Sequence, residues 1–320
     1  MTHQVLIPDA VHPSAVAVFD GIDGIAVHAP GQLARADLLA ALPTAEALII
    51  RSASKIDAEA IAAADRLKLI ARAGVGVDNV DLLAATERKI VVMNTPDGNT
   101  VSTAEHTFGL MLALARHIPQ AHASLAAGKW DRKSFGGVEL RGKTLGVVGF
   151  GRIGRAVAKR ALAFEMTVIA YDPYIPADVA ADLGVEMVSL DDIYTRSDFI
   201  TLHTLLTDET RDMIRAETIA RMKPGVRIVD AARGALINEA DLAAAIKAGQ
   251  VAGAALDVFQ QEPPQENNPL IGLPGVVHTP HLAASTEDAQ IVVAVEAAQL
   301  VRDALLKGEY KNVVNPAALD

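Results

Sequence analysis

The 320-residue sequence contains no cysteine. Disulfides, thiolate nucleophiles and Cys-ligated zinc or iron–sulfur sites are therefore excluded. Aromatic residues make up only 4% of the chain, while 51% is hydrophobic. The core must be aliphatic, built from Ala, Val, Ile and Leu. No apolar run approaches the ~20 residues that a membrane-spanning helix needs. The first residues, Met1 to Ile7, lack the charged start and long apolar stretch of a signal peptide, so the expected compartment is the cytoplasm. Positive charge is also in short supply: 29 Lys+Arg stand against 39 Asp+Glu, a formal net charge of −10. That balance argues against a non-specific grip on nucleic-acid phosphates. It leaves room for a small anionic ligand, whose binding a few local arginines decide.

What is present is regular alternation. Short apolar runs at Val5–Pro8, Ala47–Ile50, Leu69–Ala71 and Ile90–Met93 read as buried strands, with amphipathic stretches such as Asp57–Ala64 and Asn79–Arg88 between them. A break at Asn94-Thr95-Pro96-Asp97-Gly98-Asn99 precedes a long helical pattern. Ser102-x-x-Glu105 reads as a capping box at its head; the pattern pauses at Pro119 and stops near Gly128. The alternation then resumes, with strands expected at Thr144–Gly149, Thr167–Tyr171, Asp198–Thr201, Val226–Asp230, Val251–Leu256 and Val276–His278. A final helix is expected from about Thr286 to Lys307. Length allows about two domains at ~150 residues each, and βα alternation places both in the α/β class with parallel sheets.

Gly149-Phe150-Gly151-Arg152-Ile153-Gly154 is a G-x-G-x-x-G string directly after an expected strand and at the head of an expected helix. Gly149 permits a tight turn. Gly151 lets a pyrophosphate approach the backbone, and Gly154 lets helix and strand pack closely. The helix start offers free N–H groups and a positive dipole to an anion. Asp172 ends the next strand, eighteen residues beyond Gly154. A carboxylate there accepts from ribose hydroxyls and repels a 2′-phosphate, which favours NAD over NADP.

Three polar residues follow later strands: Arg233, Glu262 and His281. In a doubly wound sheet the carboxyl ends of strands face the ligand, so the three are placed to converge. An imidazole titrates near neutrality and suits proton transfer with an alcohol. A carboxylate on its far nitrogen would fix the tautomer and stabilise imidazolium. A guanidinium grips a carboxylate with two parallel bonds. Each also has a plainer reading: a surface ion pair for Arg233, a solvated loop acid for Glu262, a packed histidine for His281. His278-x-x-His281 lacks a nearby third ligand, so no metal is expected.

Ala73-Gly74-Val75-Gly76-Val77-Asp78-Asn79, the Gly149–Gly154 turn, Ala231-Ala232-Arg233-Gly234, Asp257-Val258-Phe259 with Glu262-Pro263, and Pro280-His281 together resemble the D-isomer-specific 2-hydroxyacid dehydrogenase family. The strings span nearly the whole chain. The resemblance implies two doubly wound domains: a Rossmann nucleotide domain, 98–287, inserted in a flavodoxin-like substrate domain made of 1–97 and 288–320, with the active site in the cleft between them. It implies Arg233, Glu262 and His281 as catalytic residues. It implies NAD held by Gly149, Gly151, Arg152, Ile153, Gly154, Asp172, Ala231 and Asp257, the last on the nicotinamide carboxamide. It further implies a homodimer, joined through the segment from Thr100 to Gly128 and the arm after it.

Arg51-Ser52-Ala53-Ser54-Lys55, Asn94 to Asn99 and Gly128-Lys129-Trp130 add a closer likeness to members that take 3-phospho-D-glycerate. In those members Arg51, Ser52 and Asn99 would hold the anionic ends of the substrate, with Val75 and Gly76 giving backbone donors to its carboxylate. Arg132 would reach it from a partner subunit. Two places depart from that pattern: His28 to Gln32, where a lysine is common, and Leu205, where a proline is common. Another small 2-hydroxy or 2-oxo acid (hydroxypyruvate, glyoxylate or sulfolactate) is the alternative substrate, and an NAD-sensing corepressor-like binding protein the alternative of another class. A regulatory domain after Asn315-Pro316 is not expected.

Overall fold

The structure is a computed structural model that describes residues 2–320. Its contacts divide the chain into two compact units, one of Met1–Asn99 with Ser285–Asp320 and one of Thr100–Ala284. Both are α/β units with wholly parallel sheets.

The first unit holds five strands, β1 His3–Leu6, β2 Ile25–His28, β3 Ala47–Ile50, β4 Leu69–Arg72 and β5 Val91–Asn94, in the order β2-β1-β3-β4-β5. Parallel strands are covered on both faces, so both faces must be apolar. The sequence obeys this residue by residue. Val5, Ala47, Ile49, Leu69, Ala71, Val91 and Met93 face one side, where Val293, Ala294, Ala297 and Val301 of the last helix, Glu287–Lys307, pack on them. Leu6, Leu48, Ile50, Ile70 and Val92 face the other, against Leu38, Ala60 and Ile61 of the helices Arg35–Ala41 and Ala58–Ala63. The caps match their chemistry. Asp57 accepts from Ala60 N–H, Asp81 from Ala84 N–H, and Thr286 from Ala289 N–H. Each such cap is worth about 1 kcal/mol.

The second unit holds seven strands: β6 Thr144–Val148, β7 Thr167–Tyr171, β8 Glu186–Met187, β9 Phe199–Leu202, β10 Val226–Asp230, β11 Val251–Leu256 and β12 Val276–His278. Their order is β12-β11-β10-β9-β6-β7-β8. Chain direction across the sheet reverses between β6 and β9. In the first unit it reverses between β1 and β3. Loops at the carboxyl ends beside such a reversal diverge and leave room for a ligand.

Two local expectations are corrected. The helix after the break begins at Thr100, so Ser102 lies inside it rather than at its cap. Its hydroxyl donates to the Ala283 carbonyl at 2.9 Å, and Glu105 pairs with Arg160 at 3.0 Å. The helix ends at Arg116, and a second, Ile118–Ala126, starts after His117 in a left-handed conformation (φ 53°). Among the described residues no helix is long and apolar enough to cross a membrane.

Candidate active site

The glycine turn sits directly after β6, at the strand reversal. Gly149 has φ +90°, and a Cβ there would lie 2.6 Å from the carbonyl of His203. Gly154 is closer still: its Cβ would stand 2.1 Å from the Gly149 oxygen. Both glycines are therefore demanded by the protein itself. Gly151 differs. Its φ is −70° and a Cβ would meet nothing within 4 Å. The fold would accept a side chain there, so the bare backbone is kept for something outside the chain. Gly151 also caps the helix Arg152–Ala163 without any side-chain bond, so the Ile153 N–H in its first turn can serve an anion. Asp172 follows β7 and accepts from Phe150 N–H (2.8 Å) and Tyr174 N–H (2.9 Å). It is thus tied to the turn while its remaining lone pairs can accept from hydroxyls. These residues fit a dinucleotide.

Arg233, Glu262 and His281 all belong to the second unit, on loops after β10, β11 and β12. His281 Nδ1 and Glu262 Oε2 are 2.7 Å apart, and the other Glu262 oxygen accepts from Phe259 N–H at 3.1 Å. The Glu262 bond raises the His281 pKa above its ordinary value, burial opposes it, and the Arg233 charge pulls it down. Arg233, on the loop after the neighbouring strand β10, thus opposes the effect of Glu262 on the imidazole. Burial disfavours the Glu262 charge, yet the hydrogen bond and the charge of His281 hold its pKa below the usual value. Arg233 is half-buried and donates through Nη1 to its neighbour Ala232 at 2.7 Å. Under it, Asp230 is fully buried. One of its oxygens accepts from Ala232 N–H at 2.8 Å; burial pushes its pKa up to about 7.

His281 takes a left-handed backbone, φ 55°, which costs a β-carbon-bearing residue roughly 1–2 kcal/mol. Asp257 holds it there. The Asp257 carbonyl accepts from His281 N–H at 2.8 Å. The Asp257 carboxylate accepts from Leu282 N–H and Ala283 N–H, both at 2.8 Å, and from the Thr279 hydroxyl at 2.5 Å. His106 Nε2 adds a contact at 3.1 Å. Burial disfavours the Asp257 charge, but His106, Thr279 and the two amides hold its pKa below the usual value. The residue read from sequence as a partner of the nicotinamide carboxamide is thus fully buried and anchors the histidine loop. His106, 151 positions away from Asp257, was not singled out; no local pattern announces a contact so distant.

The remaining sequence-selected residues divide. Arg51, Ser52, Val75 and Gly76 lie on the loops after β3 and β4 of the first unit, and Asn99 is the last residue before the helix Thr100–Arg116. Ala231 is buried beside Arg233. Arg132 is exposed on the stretch after Gly128.

Removing the Glu262 charge gives a signed test. Glu262→Gln should lower the His281 pKa, since the bond that raises it loses its charge. Oxidising an alcohol requires neutral imidazole, so the acid limb of the kcat/KM profile should move to lower pH. The reverse reaction requires imidazolium, and its alkaline limb should move the same way. An acid limb that stays in place or moves up would contradict the pairing.

A parallel sheet with a glycine turn at its reversal, and an acid–base pair with an arginine at neighbouring strand ends, define a nucleotide-dependent dehydrogenase of the doubly wound class. The family model described as D-isomer specific 2-hydroxyacid dehydrogenase, NAD binding domain, matches residues 108–283. The chain belongs to the D-isomer specific 2-hydroxyacid dehydrogenases. It is 50% identical over 314 residues, 98% of its length, to the D-3-phosphoglycerate dehydrogenase of Methanocaldococcus jannaschii, and spans 59% of that relative. Among solved structures it is similar to a glyoxylate reductase from Paecilomyes thermophila (TM-score 0.89, 30% identity, 98% of both chains). It is also similar to the D-lactate dehydrogenase of Aquifex aeolicus complexed with NAD and lactic acid (TM-score 0.83, 29% identity, 97% of this chain and 99% of that one).

Proposed function

We propose that the chain oxidises 3-phospho-D-glycerate to 3-phosphooxypyruvate with NAD, a step that supplies serine synthesis. The observation that carries the chemistry is the 2.7 Å pairing of His281 with Glu262 within the field of Arg233. In this reading His281 takes the C2 hydroxyl proton through Nε2, since Nδ1 faces Glu262. Glu262 stabilises the imidazolium that results. Arg233 holds the carboxylate and polarises the C2 oxygen. Gly149–Gly154 and Asp172 would hold NAD, which would supply the hydride acceptor for the C2 hydrogen. In the first unit, Arg51, Ser52 and Asn99 receive the anionic ends and Val75 and Gly76 donate to the carboxylate. The substrate assignment rests on the 50% identity to a phosphoglycerate dehydrogenase.

The same reading makes the protein a cytoplasmic homodimer, with Arg132 reaching the partner's substrate. Support comes from the apolar residues that the connecting segment leaves in solvent: Ile118 at 53%, Leu125 at 56% and Trp130 at 79% exposure.

The test is a panel followed by NADH absorbance: 3-phosphoglycerate, D-glycerate, D-lactate and sulfolactate with NAD, then hydroxypyruvate and glyoxylate with NADH. The highest kcat/KM is expected for 3-phosphoglycerate. Turnover of unphosphorylated acids with phosphoglycerate inert would put a hydroxypyruvate or glyoxylate reductase in its place, the reading that the 30%-identical glyoxylate reductase favours.

A further inference from the structure

The loops carrying Arg51 and Val75 are joined by a residue that the reaction itself does not use. Asn79, on the β4 loop, donates from its one amide nitrogen to two carbonyls of the β3 loop, Arg51 and Ser54, each at 2.7 Å. The joint continues along the backbone: Ile56 N–H donates to the Asn79 carbonyl at 2.8 Å, and Asp81 N–H to the Ile56 carbonyl at 2.9 Å. From the opposite side, Asp9 holds the same β3 loop. It follows β1, the neighbour of β3 at the strand reversal, and it is 2% exposed. Its carboxylate accepts from Arg51 N–H (2.6 Å), Ser54 N–H (3.3 Å) and the Ser54 hydroxyl (2.5 Å). Such charge-assisted bonds in a dry setting are the strong ones.

The β4 loop has its own fastening. Asn94 donates to the Val75 carbonyl at 2.6 Å, the Thr95 hydroxyl accepts from Gly74 N–H at 2.7 Å, and Thr95 N–H donates to the Gly74 carbonyl at 3.1 Å. Each loop is thus pinned to a neighbouring strand end, and Asn79 is the side-chain tie between them.

We infer that Asn79 is a specificity-determining positioning residue: by tying the β3 loop to the β4 loop it fixes the distance between the Arg51–Ser52 anion site and the Val75–Gly76 carboxylate site, and so selects acids with a second anionic group at one length. This rests on the substrate reading above. An acid with one anionic end needs only one of the two loops, and its binding is indifferent to the spacing. An acid charged at both ends needs both loops at once and loses affinity when either wanders. A mere loss of fold would lower activity on all acids together.

The experiment compares the unaltered chain with Asn79→Ala on 3-phosphoglycerate and D-glycerate, with Ser54→Ala as a milder variant that breaks only the hydroxyl bond to Asp9. Losing the tie should raise KM for the phosphorylated acid about tenfold, leave KM for the unphosphorylated acid and both kcat values near their original levels, and so cut the specificity ratio by the same factor. Ser54→Ala should shift the ratio in the same direction by less. An unchanged ratio would overturn the inference. Amide exchange of segment 51–56, followed by mass spectrometry, gives a readout that needs no substrate: it should quicken about tenfold in Asn79→Ala, and equal exchange in the two proteins would also overturn the tie. Absence of phosphoglycerate turnover in the unaltered chain would instead fault the substrate reading, and the exchange result would then decide the tie alone.

Discussion

Replacing His281 by alanine is expected to lower turnover by roughly 10²–10⁴-fold, the usual worth of a positioned general base. The geometry makes the reason specific. The imidazole has one nitrogen committed to Glu262 at 2.7 Å, so only the other can meet a substrate hydroxyl. Its pKa is raised above the ordinary value by that bond, which makes it a stronger base than a free histidine. Alanine leaves no group on the loop to take the proton, and Glu262, turned toward a vacant space, cannot reach in its stead without moving the loop. KM and NAD affinity should change little, because neither the glycine turn nor the arginine is touched. Steady-state kinetics with a separate NAD titration checks this. Turnover at the level of the unaltered enzyme would remove His281 from the chemistry.

Arg233→Ala should cost about 10²–10³-fold in kcat/KM, the scale for removing a donor that meets developing charge. Unlike the histidine variant, it should raise KM as well as lower kcat, since the guanidinium is assigned both the ground-state carboxylate and the C2 oxygen. It should also shift the pH profile oppositely to Glu262→Gln. The Arg233 charge pulls the His281 pKa down; without it that pKa climbs, and the acid limb of alcohol oxidation moves to higher pH. Arg233→Lys restores the charge but not the fork, so the limb should return while kcat/KM recovers only in part. An acid limb that ignores both substitutions would show that the two side chains do not share a site.

Much of the second unit was legible because its backbone dictates its residues. Gly149 and Gly154 cannot be anything else in the space they occupy, and a constraint that strict leaves its mark in sequence. The same holds for the apolar runs of β6 and β9, and of β3 in the first unit, which need both faces dry. The edge strands β2 and β8 left no comparable run. Ile25–His28 and Glu186–Met187 are only partly buried, so neither the two-residue period nor a continuous apolar stretch is imposed on them. The Ser102 capping box was misread for a related reason. Serine and glutamate at that spacing suit a cap, but Ser102 and Glu105 are engaged by Ala283 and Arg160, partners far along the chain. Within the proposed site, residue types and strand ends pointed to Arg233, Glu262 and His281, of which the last two pair at 2.7 Å. What could not be read was support: the Asp257 carboxylate under the histidine loop, its His106 contact, and the two carbonyls held by Asn79. Those depend on distances that no spacing encodes.

The first unit draws one face of its core from the far end of the chain. Val293, Ala294, Ala297 and Val301 cover the side of the sheet formed by Val5, Ile49, Leu69 and Val91. On the ribosome, the early strands emerge long before that cover exists, while Thr100–Ala284 is contiguous and able to close on itself first, as domains do during synthesis. The nascent chain must therefore carry this aliphatic sheet face without the cover of helix Glu287–Lys307 until that helix is made. That interval is its exposure to misassociation, and to any chaperone that binds such surfaces.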